Sequence, residues 1–260
     1  MIVPHCSYLI LIPSYNTGPK LLETVREARR YWAPVLIVID GSTDGSVEAL
    51  QILAPDDSEL KVLVLPGNHG KGAAILHGLR KAALEGYTHV LTMDADGQHP
   101  AFRIPEFIAM SHANPQAVIF GLPVFDASAP AIRVYGRKIS NALANLLTLW
   151  QGIGDSLYGF RVYPVVPLLN IMERQHWMRR FDFDAEAAVR LCWDGLRPIN
   201  LAAPVKYFRV EQGGVSHFNY LRDNMLLIWM NLRLLLEFVV RLPLLLSRKV
   251  SRRFVKSSRR

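Results

Sequence analysis

Cysteine is scarce in this chain of 260 residues: only Cys6 and Cys192 are present, far apart and in no metal-ligand spacing. That excludes a disulfide scaffold and a thiolate metal site, and it suits reduced core thiols in a cytosolic setting. No basic stretch precedes the short apolar run in MIVPHCSYLILIP, so the start reads as a first strand rather than a signal peptide. No glycine stands at the required spacing before Gly70-Lys71, no Ser or Thr follows, and no convincing GxGxxG follows a strand. A P-loop nucleotidase and a dinucleotide-binding dehydrogenase are therefore both disfavoured. Internal repeats and low-complexity linkers are missing as well, so the two halves read as one globule. Acidic residues are absent from 247–260 (SRKVSRRFVKSSRR), which holds seven basic ones; without this tail the net charge of +8 falls to near +1. The basic balance thus describes the tail, and no nucleic-acid partner is expected.

What is present is a series of short apolar runs: YLILIP at 8–13, VLIVI at 35–39, KVLVLP at 61–66, HVLTM at 89–93 and AVIFGLP at 117–123. Amphipathic helical patterns separate them, one after PSYNTGP, one through Val47–Ile52 and one from Ala73 to about Leu84. Strands alternating with helices predict an α/β fold, a mostly parallel sheet covered on both faces. After Pro123 the pattern predicts a helix over Ile132–Trp150, another near Asp184–Trp193, and a short strand near Ile199–Ala203.

Residues 218–246, FNYLRDNMLLIWMNLRLLLEFVVRLPLLL, are long and apolar, but Arg233, Glu237 and Arg241 recur every four residues and share one helix face. Three charges at the centre of a bilayer cost roughly 2.5–3.5 kcal/mol each, against about 0.3–0.6 gained per large apolar residue. A helix lying in the interface keeps the apolar gain and avoids most of that cost. The alternatives are a core or dimer helix, which leaves homo-oligomerisation open, and a spanning helix. The basic tail at 247–260 either favours an anionic membrane surface or is a solubilising extension.

The sharpest chemical signal is MDADGQHP at 93–100. Asp94 and Asp96 stand two apart at the end of an apolar run, where both carboxylates point to one side. They repel unless a cation lies between them, and hard oxygen ligands suit Mg²⁺ or Mn²⁺, which commonly holds a diphosphate. Gln98 or His99 is placed to complete or orient the metal shell. Asp40 ends the second strand, where it either meets a base or ribose, or joins Asp44 in capping the next helix. Lys71 either faces a phosphate or is a solvated helix-start residue. Arg133 and Arg137, four apart on a helix, either grip an acceptor phosphate by forked hydrogen bonds or form a solvated basic face. Arg161, with Asp155 and Gly159, reads as an acceptor contact or as a buried Asp–Arg pair. Asp184 and Glu186, with Asp182, stand at a helix start as caps or as a general base for a hydroxyl acceptor. In Gln212-Gly213-Gly214-Val215-Ser216-His217, the histidine is a candidate metal or diphosphate contact.

Taken in order, PSYN, IDGSTDGS, GKGAAILHGL, MDADGQHP, GFR and GGVSHF resemble family 2 glycosyltransferases of the GT-A fold, in particular the branch with dolichol-phosphate mannose synthases and bacterial lipid-linked relatives. The resemblance runs from about residue 7 to about 220. It implies that Pro13, Tyr15 and Asn16 border the nucleotide with Asp40 at the base, that Asp94, Asp96 and Gln98 hold the metal and diphosphate, and that Arg133 and Arg137 lie on a helix that helps bind the acceptor. The chain departs from the pattern at Ile39, where many relatives carry a first acid, and at GGVSHF, where mannose synthases end in Ser-Lys.

The resulting expectation is a GT-A domain over 1–217, with a donor half at about 1–123 and an acceptor half at about 124–217. An amphipathic interfacial region at 218–246 and a basic tail at 247–260 follow. The activity expected is metal-dependent, inverting transfer of a sugar from a nucleotide-diphosphate-sugar to a lipid-linked acceptor, a polyprenyl phosphate or a glycolipid hydroxyl, at the cytoplasmic face of a membrane. Two rivals are a sugar nucleotidyltransferase on a similar sheet, disfavoured because PSYNTGPK makes a poor glycine-rich basic loop, and a non-catalytic membrane-associated binding protein.

Overall fold

The computed structural model describes residues 6–53, 57–125, 131–206 and 219–257, the side chains of 53, 131–134, 220 and 252–257 apart. The apolar runs form strands β1 (Tyr8–Ser14), β2 (Val35–Asp40), β3 (Leu60–Leu65), β4 (His89–Thr92) and β5 (Ala117–Val124), with β6 (Arg161–Pro164) and β7 (Arg197–Pro204) completing one sheet in the order β3-β2-β1-β4-β6-β5-β7. Strands β1 to β4 pair in parallel, β6 runs antiparallel to β4 and β5, and β7 lies parallel to β5. Every residue of β1 and β2 is buried, as expected of a parallel sheet with helices on both faces.

Side-chain alternation sorts the core into two layers. Leu9 and Leu11 face the layer that also takes α3 (Lys71–Leu84), α6 (Val165–Arg174) and α7 (Phe183–Trp193), whereas Ile10 and Ile12 face α1 (Pro19–Tyr31) and α4 (Ile104–Ala113). Helix α2 (Ser46–Leu53) follows β2. The register sets Ser14 beside Ile39 and Leu11 beside Thr92, so the C-terminal ends of β1, β2 and β4 converge on one edge of the sheet.

Strand β6 was hidden in the sequence by the arginine at its head. Arg161 has no exposed surface. Its guanidinium donates to the Tyr163 hydroxyl (3.0 Å) and to the carbonyls of Asp184 (2.6 Å) and Asp155 (3.2 Å), and lies 4.7 Å above the Phe120 ring. The expectation that Arg161 contacts an acceptor is thereby corrected: it is a buried joint between β6, the 155–158 loop and α7. Helices α4 and α6 also escaped the sequence reading. Each carries a proline in its first turn, at Pro105 and Pro167, where no intrahelical N–H is required. The helix expected over Ile132–Trp150 is α5 (Ala131–Leu147), followed by a left-handed backbone at Leu149 and Trp150.

The C-terminal region is one helix, α8 (Tyr220–Ser257), with Pro243 inside it, so the structure shows no break at the expected 246/247 boundary. Its charged face turns inward. Arg233 forks onto Glu186 at 2.7 and 2.8 Å, Arg190 forks onto Glu237 at 2.8 and 2.6 Å, and the Arg190 Nε also reaches Glu186 at 2.7 Å. Glu186 is completely buried. As a general base it would need access to the reacting hydroxyl; instead both its oxygens are held by arginines, which corrects that expectation. At the far end Lys249 donates to the Leu149 carbonyl at 2.9 Å and Arg248 donates to that of Trp193, the last residue of α7, where cations are favoured. The start of the basic segment is thus fastened to the body. Among the described residues no helix is long and apolar enough to cross a membrane.

Removing Glu186 would strand the largely buried Arg233 guanidinium and leave Arg190 with Glu237 alone. Glu186→Ala is expected to cost about 3–5 kcal/mol of unfolding free energy, read by urea denaturation; a loss under about 1 kcal/mol would contradict the network's role.

Candidate active site

The convergent strand ends open into a cleft of about 680 Å³ lined by Pro13, Tyr15, Asp40, Lys71, Asp94, Asp96 and Gln98, with Arg180, Phe181 and Arg222 among the residues on its rim. Asp94 and Asp96 lie just past β4, in the turn rather than within the strand. The Asp94 carboxylate is held from two sides. Lys71 Nζ stands 2.7 Å from its Oδ1 and His99 Nε2 is 3.5 Å from its Oδ2. The His99 Nδ1 accepts the Asp94 backbone N–H at 2.9 Å, which fixes the ring's tautomer with the proton on Nε2. Burial opposes the charge on Asp94, but the Lys71 ammonium and His99 overcome it and hold the carboxyl at about 2. Burial drives the His99 ring down to about 4 against the pull of Asp94, so it is neutral at pH 7. Asp96 goes the other way: burial first, and the charge of Asp94 second, push it up to about 6, although it accepts the Gln98 N–H at 3.0 Å.

Lys71 also reaches Asp184, with Nζ 2.8 Å from Oδ2. Burial disfavours its charge, yet the two carboxylates hold the ammonium above its ordinary range. Glycines make the room. A Cβ on Gly159 would fall 2.7 Å from Lys71 Nζ and 3.1 Å from Asp94 Oδ1, and one on Gly72 would collide with the Met178 carbonyl at 2.0 Å.

The other expected residues divide. Asp40 is buried and accepts the backbone N–H groups of His69 (2.9 Å) and Gly70 (2.7 Å), so it ties β2 to the loop that opens α3. Asp44, not Asp40, serves the start of α2, accepting the Ser46 N–H at 3.2 Å and the Gly18 N–H at 2.7 Å. Asn16, with a left-handed backbone, exchanges hydrogen bonds with the loop after β2, accepting from Thr43 N–H and taking Ser42 Oγ on its own N–H. Arg137 pairs with the buried Asp155 at 2.7 Å. Arg133 belongs to α5 but its side chain, like the whole of His217, lies outside the described residues. Asp184 is 4% exposed, and its Oδ1 has no hydrogen-bond partner among the described residues. Arg180 and Arg222 were missed; the only signal was a basic pair directly before the acid-rich start of α7 and an arginine at the start of α8.

A divalent cation is consistent with this donor set. Asp94 and Asp96 share the cleft as neighbouring carboxylates, and the buried Asp184 Oδ1 is an acceptor left open among the described residues. No group of three or more His, Cys, Asp or Glu residues forms a metal cage among the described residues. That is the pattern of Mg²⁺-type sites, in which one or two carboxylates hold an ion whose remaining ligands are water and substrate phosphate.

The sheet and the cleft at its C-terminal edge are those of a GT-A fold. Residues 9–168 match the family Glycosyl transferase family 2. The chain belongs to that family. It is 31% identical over 162 residues to an undecaprenyl-phosphate 4-deoxy-4-formamido-L-arabinose transferase of Pseudomonas fluorescens, covering 60% of this chain and 45% of the relative. It is 29% identical over 209 residues to a dolichyl-phosphate beta-glucosyltransferase of Trichomonas vaginalis, covering 72% and 62%. The chain therefore spans less than two thirds of the length of these curated relatives. Among solved structures, S. aureus TarS 1-349 in complex with UDP-GlcNAc shares the fold with a TM-score of 0.57 at 15% identity, over 86% of this chain and 65% of that one. Glucosyl-3-phosphoglycerate synthase from Mycobacterium tuberculosis, in complex with Mn²⁺, UDP and glucosyl-3-phosphoglycerate, does so with a TM-score of 0.55 at 14% identity, over 80% and 74%.

Because Asp96 titrates higher in the folded than in the unfolded chain, its ionisation destabilises the metal-free protein above pH 6, and that penalty is relieved as pH falls toward 4. Asp96→Asn in the presence of a chelator is expected to be more stable than the parent by about 1–2 kcal/mol at pH 7. The gain should shrink through pH 6 and vanish near pH 4, as followed by chemical denaturation; a gain independent of pH would contradict the assignment.

Proposed function

We propose that this chain transfers a sugar, with inversion, from a nucleoside-diphosphate-sugar to a polyprenyl-phosphate-type lipid at a membrane surface. The observation that carries the reading is the pair Asp94 and Asp96 at the C-terminal edge of β4, facing a cleft that also contains Tyr15 and Lys71. Asp94 and Asp96, with the Gln98 side chain beside them, would hold Mg²⁺ or Mn²⁺. When bound, that ion supplies Lewis-acid neutralisation of the departing diphosphate. Lys71 adds a fixed positive charge next to the same leaving group. Pro13 and Tyr15 border the nucleotide.

The names of the relatives support a lipid phosphate as acceptor. Its oxygen is already anionic, so attack requires orientation rather than a base. Arg137, half-buried and already paired with Asp155, and Arg133 on the same helix are the positioning candidates, with Arg180 and Arg222 lining the cleft. Asp184 remains the base candidate for a hydroxyl acceptor.

The outer faces of α5 and α8 support action at a membrane. With Arg233 and Glu237 turned to α7, α8 exposes Leu221, Ile228, Leu236, Val239 and Val240, and the neighbouring α5 exposes Tyr135 and Ile139. That ridge is of the kind that enters the headgroup and acyl boundary of a bilayer. Part of this was unforeseen. The sequence suggested a helix with its charged side toward water, whereas the structure turns that side to the protein.

Incubation with Mn²⁺ or Mg²⁺, a panel of labelled nucleotide-sugars and undecaprenyl or dolichyl phosphate is expected to give lipid-extractable label, abolished by Asp96→Asn. Label recovered only in water-soluble product would overturn the acceptor class, and pyrophosphate released from a nucleoside triphosphate would favour a nucleotidyltransferase. In sedimentation with vesicles containing anionic lipid, Ile228→Asp/Val240→Asp is expected to bind at least about tenfold more weakly, since each loses more than 1 kcal/mol of apolar transfer; equal binding would remove the membrane reading while leaving the transfer reaction standing.

A further inference from the structure

Lys71 occupies a place that a phosphate-binding lysine does not require. The backbone at 70–73 is pinned by the 178–180 segment: the Arg179 carbonyl accepts the Ala73 N–H at 2.9 Å, and Gly70 and Gly72 leave no space for a Cβ against residues 178–180. The side chain is consequently aimed inward and only 15% exposed. Its ammonium joins two carboxylates from distant parts of the chain, Asp94 at 2.7 Å and Asp184 at 2.8 Å. An ammonium has three donors; the two carboxylates take two. Three carboxylates, Asp94, Asp96 and Asp184, gather around this ammonium, with the buried Arg161 guanidinium behind Asp184. A divalent cation entering there must share Asp94 with a positive group already in contact with it.

Resting on the reading that Asp94 and Asp96 hold a cation and a diphosphate, we propose that Lys71 is an internal counter-ion that makes the site discriminate between bare metal and metal–diphosphate. Alone, a cation meets the repulsion of Lys71 and competes with it for Asp94. Arriving with a diphosphate, it brings negative oxygens that accept the third N–H of Lys71, and the repulsion becomes an attraction. Lys71 is thereby a positioning residue that couples the two ligands, and by reciprocity each strengthens the other's binding by the same factor. Asp184, through its Oδ2, keeps the ammonium from moving fully onto Asp94, and its unpartnered Oδ1 is the acceptor left for the substrate side of the cleft.

The test is direct metal binding rather than turnover. Free Mn²⁺ is titrated against the purified chain by electron paramagnetic resonance, and UDP and then GDP are titrated in saturating Mn²⁺ by calorimetry. Lys71→Met is expected to bind bare Mn²⁺ at least about tenfold more tightly, the lower end of what one neighbouring charge does to an ionic equilibrium, and to bind the nucleoside diphosphate at least about tenfold more weakly. Lys71→Arg, which keeps the charge, should leave bare Mn²⁺ affinity within about twofold. Asp184→Asn, which releases the ammonium toward Asp94, should weaken bare Mn²⁺ binding, and it supports the proposal independently if the methionine variant does not fold. Bare Mn²⁺ affinity unchanged or lowered in Lys71→Met, with the parent binding Mn²⁺ normally, overturns the counter-ion role and leaves the transferase reading intact. Failure of the parent to bind Mn²⁺ with either nucleotide overturns both.

Discussion

A salt bridge from one ammonium to two carboxylates joins the parts of this protein that must act together. Lys71 begins α3, Asp94 follows β4 and Asp184 begins α7. Helix α3 and β4 follow one another, whereas α7 comes far later in the chain, and each is fixed independently. Asp40 anchors the loop before α3, His99 fixes the Asp94 backbone, and Arg161 accepts no movement of α7 because its guanidinium holds the Asp184 carbonyl. Buried charges are costly unless they are paired and hydrogen-bonded. Here the requirement for pairing brings the donor-side and acceptor-side elements to one point.

The same economy operates on the opposite side of α7. Asp184 and Glu186 are two residues apart on one helix and serve different neighbourhoods, the first turned to Lys71 and the second to Arg190 and Arg233. A helix start with several acids invites a catalytic reading of all of them, and the structure separates them by burial. Glu186 is sealed among arginines, while Asp184 keeps one oxygen without a partner.

Much of the fold was legible because the parallel strands are continuous apolar runs and their helices carry a clear period. Asp94 and Asp96 were legible for a different reason, since no packing argument calls for two acids at the end of a buried strand. What could not be read depended on long-range partners. Arg161 in β6 looks incompatible with a core strand until Tyr163, Asp155 and the Asp184 carbonyl are seen to satisfy it. The charged stripe of α8 gave its period correctly but not its direction, because a stripe of Arg and Glu points to water unless another element offers matching charges. Helix α7 offers them, through Glu186 and Arg190. Gly159 was noticed within a polar cluster, yet its purpose appears only when Lys71, 88 positions earlier in the chain, is found against it.

The inward direction of the α8 charges also governs how this protein behaves outside its cellular setting. Averaged along its length the helix is not strongly apolar, since its arginines and lysines offset the leucines. Over its middle, from Ile228 to Leu246, the exposed residues of its outer side are apolar. A bench preparation in plain buffer therefore presents a greasy seam along the middle of the helix, and mild detergent, rather than added salt, is the condition that should keep concentrated stocks dispersed.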